Sequence, residues 1–195
     1  MDSITFDKAV ELAGFITGLL YLYWEYKANR LLWVAGLLMP CMSMWVYWHA
    51  GLYADFGMNI YYLLMALYGL VAWGRRDAGG DKPALRISHI GRGHLAAVGA
   101  LFVPVYLLIA WVLIRFTNST VPWLDSLTTA LSMAGTWMLA RKYIEQWVVW
   151  IAVDIVSFGL YFYKGIPLYG VLYFVYTVIA FFGMAKWRRL MRAGQ

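Results

Sequence analysis

Apolar residues fall in long runs along this chain, broken by short polar connectors, at roughly 9–26, 31–49, 53–73, 95–114, 122–140, 146–163 and 166–185. A helix rising 1.5 Å per residue needs about this length to cross a hydrocarbon layer ~30 Å thick. The pattern predicts seven transmembrane helices. One connector is longer, from Gly74 to His94; it holds Gly79, Gly80 and Pro83 among charges and reads as a linker.

Composition agrees with the pattern. Hydrophobic residues make up 63% of the 195 and charged ones only 13%, a balance that a water-soluble domain could not bury. The class is an all-α integral membrane protein in contact with the lipid bilayer. Asp2 and Asp7 interrupt the N-terminus, and no small-residue cleavage site follows the first run, so no cleavable signal is expected. A single cysteine, Cys41, excludes an intrachain disulfide and a cysteine-based zinc site.

The net charge of +6 is a matter of sidedness. Lys8, Arg115 and Lys164 fall on the side of the N-terminus, while the other thirteen basic residues fall on the opposite side. That asymmetry predicts an outer N-terminus and a cytoplasmic C-terminus, and it removes any need for a nucleic-acid partner. Trp24, Trp45, Trp48, Tyr53, Trp73, Trp123 and Trp187 lie near span ends, where interfacial aromatic belts form.

Displaced by 114 positions, the chain aligns with itself without a gap. Glu11 meets Asp125, Lys27 meets Arg141, Trp33 meets Trp147, Ser43 meets Ser157, and Tyr47 meets Tyr161. Further on, Gly51 meets Gly165, Tyr62 meets Tyr176, Gly69 meets Gly183, Trp73 meets Trp187 and Arg75 meets Arg189. This predicts two three-helix repeats, 1–76 and 122–189, joined by a cytoplasmic loop at 77–94 and a linker helix at 95–115, with a tail at 190–195. An odd linker helix makes the repeats parallel, a 3+1+3 arrangement whose substrate site is expected at midplane between them.

Asp154 lies nine residues into the sixth run, about 14 Å deep, where a carboxylate costs about 2.5–3.5 kcal/mol. Trp147, Trp150, Asp154 and Ser157 share one helical face. Two flat rings and one acid suit a flat cationic ligand. In the other reading both tryptophans pack in the core and Asp154 bonds a neighbouring hydroxyl. The repeat places Pro40, a helix-kinking residue, opposite Asp154.

These residues resemble the PnuC-type vitamin transporter family over nearly the whole chain. The likeness is carried by Glu11-Leu-Ala-Gly-Phe-Ile-Thr-Gly-Leu-Leu20, Leu52-Tyr-Ala-Asp55, Leu131-Ser132 and, most specifically, Ala140-Arg-Lys-Tyr-Ile-Glu-Gln-Trp-Val-Val-Trp150. The resemblance implies uptake of a vitamin precursor across a bacterial inner membrane by facilitated diffusion, without a cofactor. It also implies a cytoplasmic kinase that traps the product, and it allows a homo-oligomer. The substrate it implies first is nicotinamide riboside, with thiamine and riboflavin carried on the same scaffold elsewhere in the family. Trp147 and Trp150 match the family's paired tryptophans, and Asn59 falls where an amide such as Gln is usual. Asp154 and Met39 stand where Asn is expected, which favours a counter-charge for a pyridinium or a thiazolium over an amide contact.

Other chemistry is weaker. His49, His89 and His94 have no metal-ligand spacing and read as solvated. No lysine lies in the last apolar run to hold a retinal Schiff base. Thr128 and Thr129 are expected to bond back to their own helix. A membrane sensor that binds without transporting would not need two related halves, and one midplane acid offers no partner for general acid–base catalysis.

Overall fold

The computed structural model describes residues 16–49, 53–76, 85–165 and 167–194. The start of the first predicted span (9–15, with Glu11), Gly51, Leu52 and the linker segment 77–84 lie outside the described residues. Seven helices follow one another among those described: α1 (16–26), α2 (Leu32–His49), α3 (Tyr53–Gly74), α4 (Arg92–Phe116), α5 (Pro122–Ala140), α6 (Gln146–Tyr163) and α7 (Pro167–Arg192). Each apolar run carries one of them. The largest difference is at α7, which continues past the end of its run through Lys186, Arg188, Arg189 and Arg192. Basic side chains in a last turn stabilise the negative end of the helix dipole, and fully buried Trp187 anchors the extension.

Four helical stretches, Phe56–Gly74, Arg92–Phe116, Gln146–Tyr163 and Gly170–Arg192, are long and apolar enough to cross a membrane. Their apolar side chains point outward. On α4, Leu101, Val103, Leu107, Leu108, Trp111 and Ile114 are all at least half exposed, and Ala110 is its one buried residue. Such a surface would associate in water but is at home in lipid, where helices satisfy their own backbone hydrogen bonds. The chain is a multi-pass membrane protein.

The chain divides into two compact units, Met1–Ala84 and Leu85–Gln195. In the first, α2 packs on α3; in the second, α6 packs on both α5 and α7, and α4 packs on α5. The 114-residue offset relates the local geometry of the two units. Trp33 meets Trp73 edge to face at 5.7 Å and 86°, and Trp147 meets Trp187 at 5.7 Å and 85°. Each pair depends on a glycine. A Cβ on Gly69 would lie 2.2 Å from the Trp33 ring, and one on Gly183 2.4 Å from the Trp147 ring, so only hydrogen fits.

The turns repeat as well. Ala28 (φ 52°) and Lys142 (φ 55°) are both left-handed without being glycine. The Asn29 N–H donates to Trp24 O at 2.8 Å, and the Tyr143 N–H to Met138 O at 2.9 Å. Inside those bonds the Ala28 N–H donates to Glu25 O and the Lys142 N–H to Leu139 O, each at 2.9 Å. Both are Schellman caps that end a first helix and turn the chain into a second.

One element pair differs by an exchange of volume. In the first unit a Cβ on Gly36 of α2 would lie 3.5 Å from the Tyr21 ring of α1. In the second, the glycine is Gly135 of α5 and the ring is Trp150 of α6, at 3.4 Å. The offset maps Tyr21 to Gly135 and Gly36 to Trp150, so the same cleft is filled from opposite sides.

Candidate functional site

Trp147, Trp150, Asp154, Ser157 and Tyr161 recur every three or four residues on α6, as Tyr173, Tyr176, Ala180, Gly183 and Trp187 do on α7. The two stripes meet. Near the start of α6 the contact is dry, with Trp147 (2% exposed) wedged against Trp187 and over Gly183. Toward its far end the contact turns polar. The Tyr161 and Tyr173 rings stack at 5.1 Å and 19°, with Tyr176 edge-on to Tyr173 at 5.9 Å.

Asp154 sits between these regions. It is 6% exposed, and its charge acts on the Tyr173 and Tyr176 hydroxyls. Among the described residues it accepts no hydrogen bond, so the neighbouring hydroxyls do not satisfy it. Ser157, one turn on, is 5% exposed. Trp150 is half-buried beside Gly135, and its indole N–H has no partner among the described residues.

The structure thus brings Trp147, Trp150, Asp154 and Ser157 onto one face in the second unit. Asn59, half-buried on α3, belongs to the first. In the sequence the tyrosines of α7 entered only through the repeat, as the match of Tyr62 with Tyr176, because an uncharged tyrosine inside an apolar run does not stand out. Gln146 went unread. It is 0% exposed, and among the described residues neither its amide nitrogen nor its amide oxygen finds a partner. Lying between Glu145 and Trp147, it looked like part of a helix start. The signal was available in the repeat, which sets it opposite Leu32.

Both ends of this unit are pinned. At one, the Lys164 ammonium donates to Asp125 at 2.8 Å, and the Ser119 hydroxyl donates to the same carboxylate at 2.6 Å. Thr128 and Thr129 bond back to α5 carbonyls, as their position predicts, in a series continued by Ser132 and Thr136. At the other end the linker docks on the α5–α6 turn. Ser88 pairs with the backbone around Tyr143, Lys142 Nζ donates to Leu85 O at 3.1 Å, and Glu145 accepts from the Ile90 N–H at 2.9 Å. Burial holds the Lys142 ammonium below the usual lysine range. The histidines, expected to be merely solvated, are exposed but bonded. His89 pairs with Glu145 at 2.7 Å, His94 with the Tyr143 hydroxyl at 3.0 Å, and His49 with Trp45 O at 2.8 Å.

Comparison with known proteins bears on this site. A family model described as nicotinamide mononucleotide transporter matches residues 8–189. The nicotinamide riboside transporter PnuC of Escherichia coli (strain K12) is 21% identical, over 91% of this chain and 84% of that protein. The riboflavin/roseoflavin transporter RibM of Streptomyces davaonensis is 25% identical, over 94% of this chain and 88% of its own. The crystal structure of the vitamin B3 transporter PnuC is similar in fold, with a TM-score of 0.67 at 22% identity, over 93% of this chain and 81% of that one.

Proposed function

We propose, from the premise that this chain belongs to the nicotinamide mononucleotide transporter family, that it carries a flat cationic vitamin precursor into the cell. Nicotinamide riboside is the first candidate and thiamine the second. The observation that carries the reading is Asp154, a carboxylate buried at mid-helix with no hydrogen bond among the described residues. A delocalised cation supplies the missing partner. Trp150, one turn away, takes the ring-stacking role. Trp147 holds α6 against α7, as its repeat mate Trp33 holds α2 against α3.

The carrier works by facilitated diffusion with alternating access, its N-terminus outside and its C-terminus in the cytoplasm, where a kinase traps the product. The related proteins with printed substrates include both nicotinamide riboside and riboflavin carriers, so substrate class rests on the site itself. The test is binding of nicotinamide riboside and thiamine to purified protein, followed by tryptophan fluorescence quenching. Asp154→Asn is expected to weaken the preferred cation tenfold or more, the cost of removing a buried counter-charge. Tight binding that survives the substitution would make Asp154 structural and remove the basis for a cationic substrate.

A further inference from the structure

Subtracting one repeat from the other separates scaffold from specificity. On the α6–α7 interface Trp147, Ser157, Tyr161, Tyr176, Ala180, Gly183 and Trp187 all keep their residue type at the matching positions of the first unit. The unpartnered indole N–H of Trp147 is also shared, since that of Trp33 is equally unpartnered. On α6 the remaining buried or half-buried positions exchange one aliphatic or methionine residue for another, except at three. Gln146 replaces Leu32, Trp150 replaces Gly36 and Asp154 replaces Pro40. They stand at i, i+4 and i+8, one ridge of α6, with a rise of about 6 Å between neighbours.

Gln146 is the unexplained member. Its slot in the first unit is filled by Leu32, also 0% exposed, so packing alone asks for an apolar side chain. Instead the slot holds an amide whose donor and acceptor are both unpaired among the described residues. Two adjacent unsatisfied groups of opposite type are complementary to one kind of ligand edge, a donor beside an acceptor, as a primary carboxamide or an aminopyrimidine presents. A ring stacked on Trp150 with its charge toward Asp154 would bring such an edge within reach of Gln146.

We infer that Gln146 is a specificity-determining residue that pairs with an amide-like edge of the substrate, on the side of Trp150 away from Asp154. This rests on the cationic-ring reading above and adds the second recognition group. It also offers an amide on the chain where Asp154 and Met39 have replaced two expected ones.

The experiment compares nicotinamide riboside with pyridinium riboside, which keeps the cation and the ribose but lacks the carboxamide, on wild type and Gln146→Leu. Leucine is the residue the equivalent slot already buries, and unchanged pyridinium riboside binding reports an intact fold. Wild type is expected to prefer nicotinamide riboside at least tenfold, about 1.4 kcal/mol. Gln146→Leu is expected to bring the two ligands within about twofold while leaving pyridinium riboside affinity unchanged. An unchanged preference, or an equal loss for both ligands, would overturn the role of Gln146 while leaving the cation site standing. Wild type that binds neither ligand would overturn this inference, and the cationic-ring reading with it where thiamine is not bound either.

Discussion

Ala28 and Lys142 occupy equivalent left-handed positions, and neither is glycine. That conformation costs an L-residue roughly 1–2 kcal/mol, set against the roughly 0.5–1 kcal/mol of extra chain entropy that glycine loses on folding. Ala28 has a methyl group to lose, whereas Lys142 would also give up its hydrogen bond to Leu85 O. Ala28→Gly should therefore stabilise the protein, by about 0.5–1 kcal/mol, and thermal unfolding in detergent would register it as a raised midpoint. An unchanged or lowered midpoint would mean that the turn is not strained. Single residues were legible in proportion to their contrast with their surroundings. Asp154 stood out because a charge inside an apolar run has few explanations. Gln146 stood out only once its burial and its missing partners were visible, because an amide at a helix start has many.

Helices were the most legible elements, since a run long enough to span lipid leaves little choice of structure. Their ends were less so, because a helix continues beyond its apolar span wherever basic residues suit its C-terminus, as α7 does to Arg192. How neighbouring helices pack was half visible: the glycine and tryptophan matches at the 114-residue offset marked the positions without showing that they touch. Each glycine in fact lies under a ring. Gly69→Ala and Gly183→Ala should both displace a fully packed tryptophan, and overpacking of this kind costs about 1–3 kcal/mol. Comparable losses of thermal stability for the two variants, measured in detergent, are the expected result. A neutral Gly183→Ala would mean that Trp147 is free to move, and its ring would return as a candidate for stacking on the ligand.

At the scale of the whole molecule the question is whether transport draws on an ion gradient. Coupling to protons requires ionisable groups that relay them across the hydrocarbon layer. The sequence of α2 has no acid, lysine or arginine, nor does α3 from Phe56 to Gly74 or α4 between Arg92 and Arg115. The acid of α5, Asp125, is engaged at the helix end by Lys164. That leaves Asp154 as the one charge in the middle of α6, and α7 reaches its first basic residue only at Lys186. Glu25, the buried acid of α1, lies in the last turn of that helix, so among the described helices Asp154 has no second mid-helix acid to pass a proton to. Uptake into proteoliposomes should therefore run down the substrate gradient, stop at equal concentrations inside and outside, and be unaffected by a protonophore. Accumulation above equilibrium that collapses with the protonophore would show instead that Asp154 exchanges a proton for the substrate.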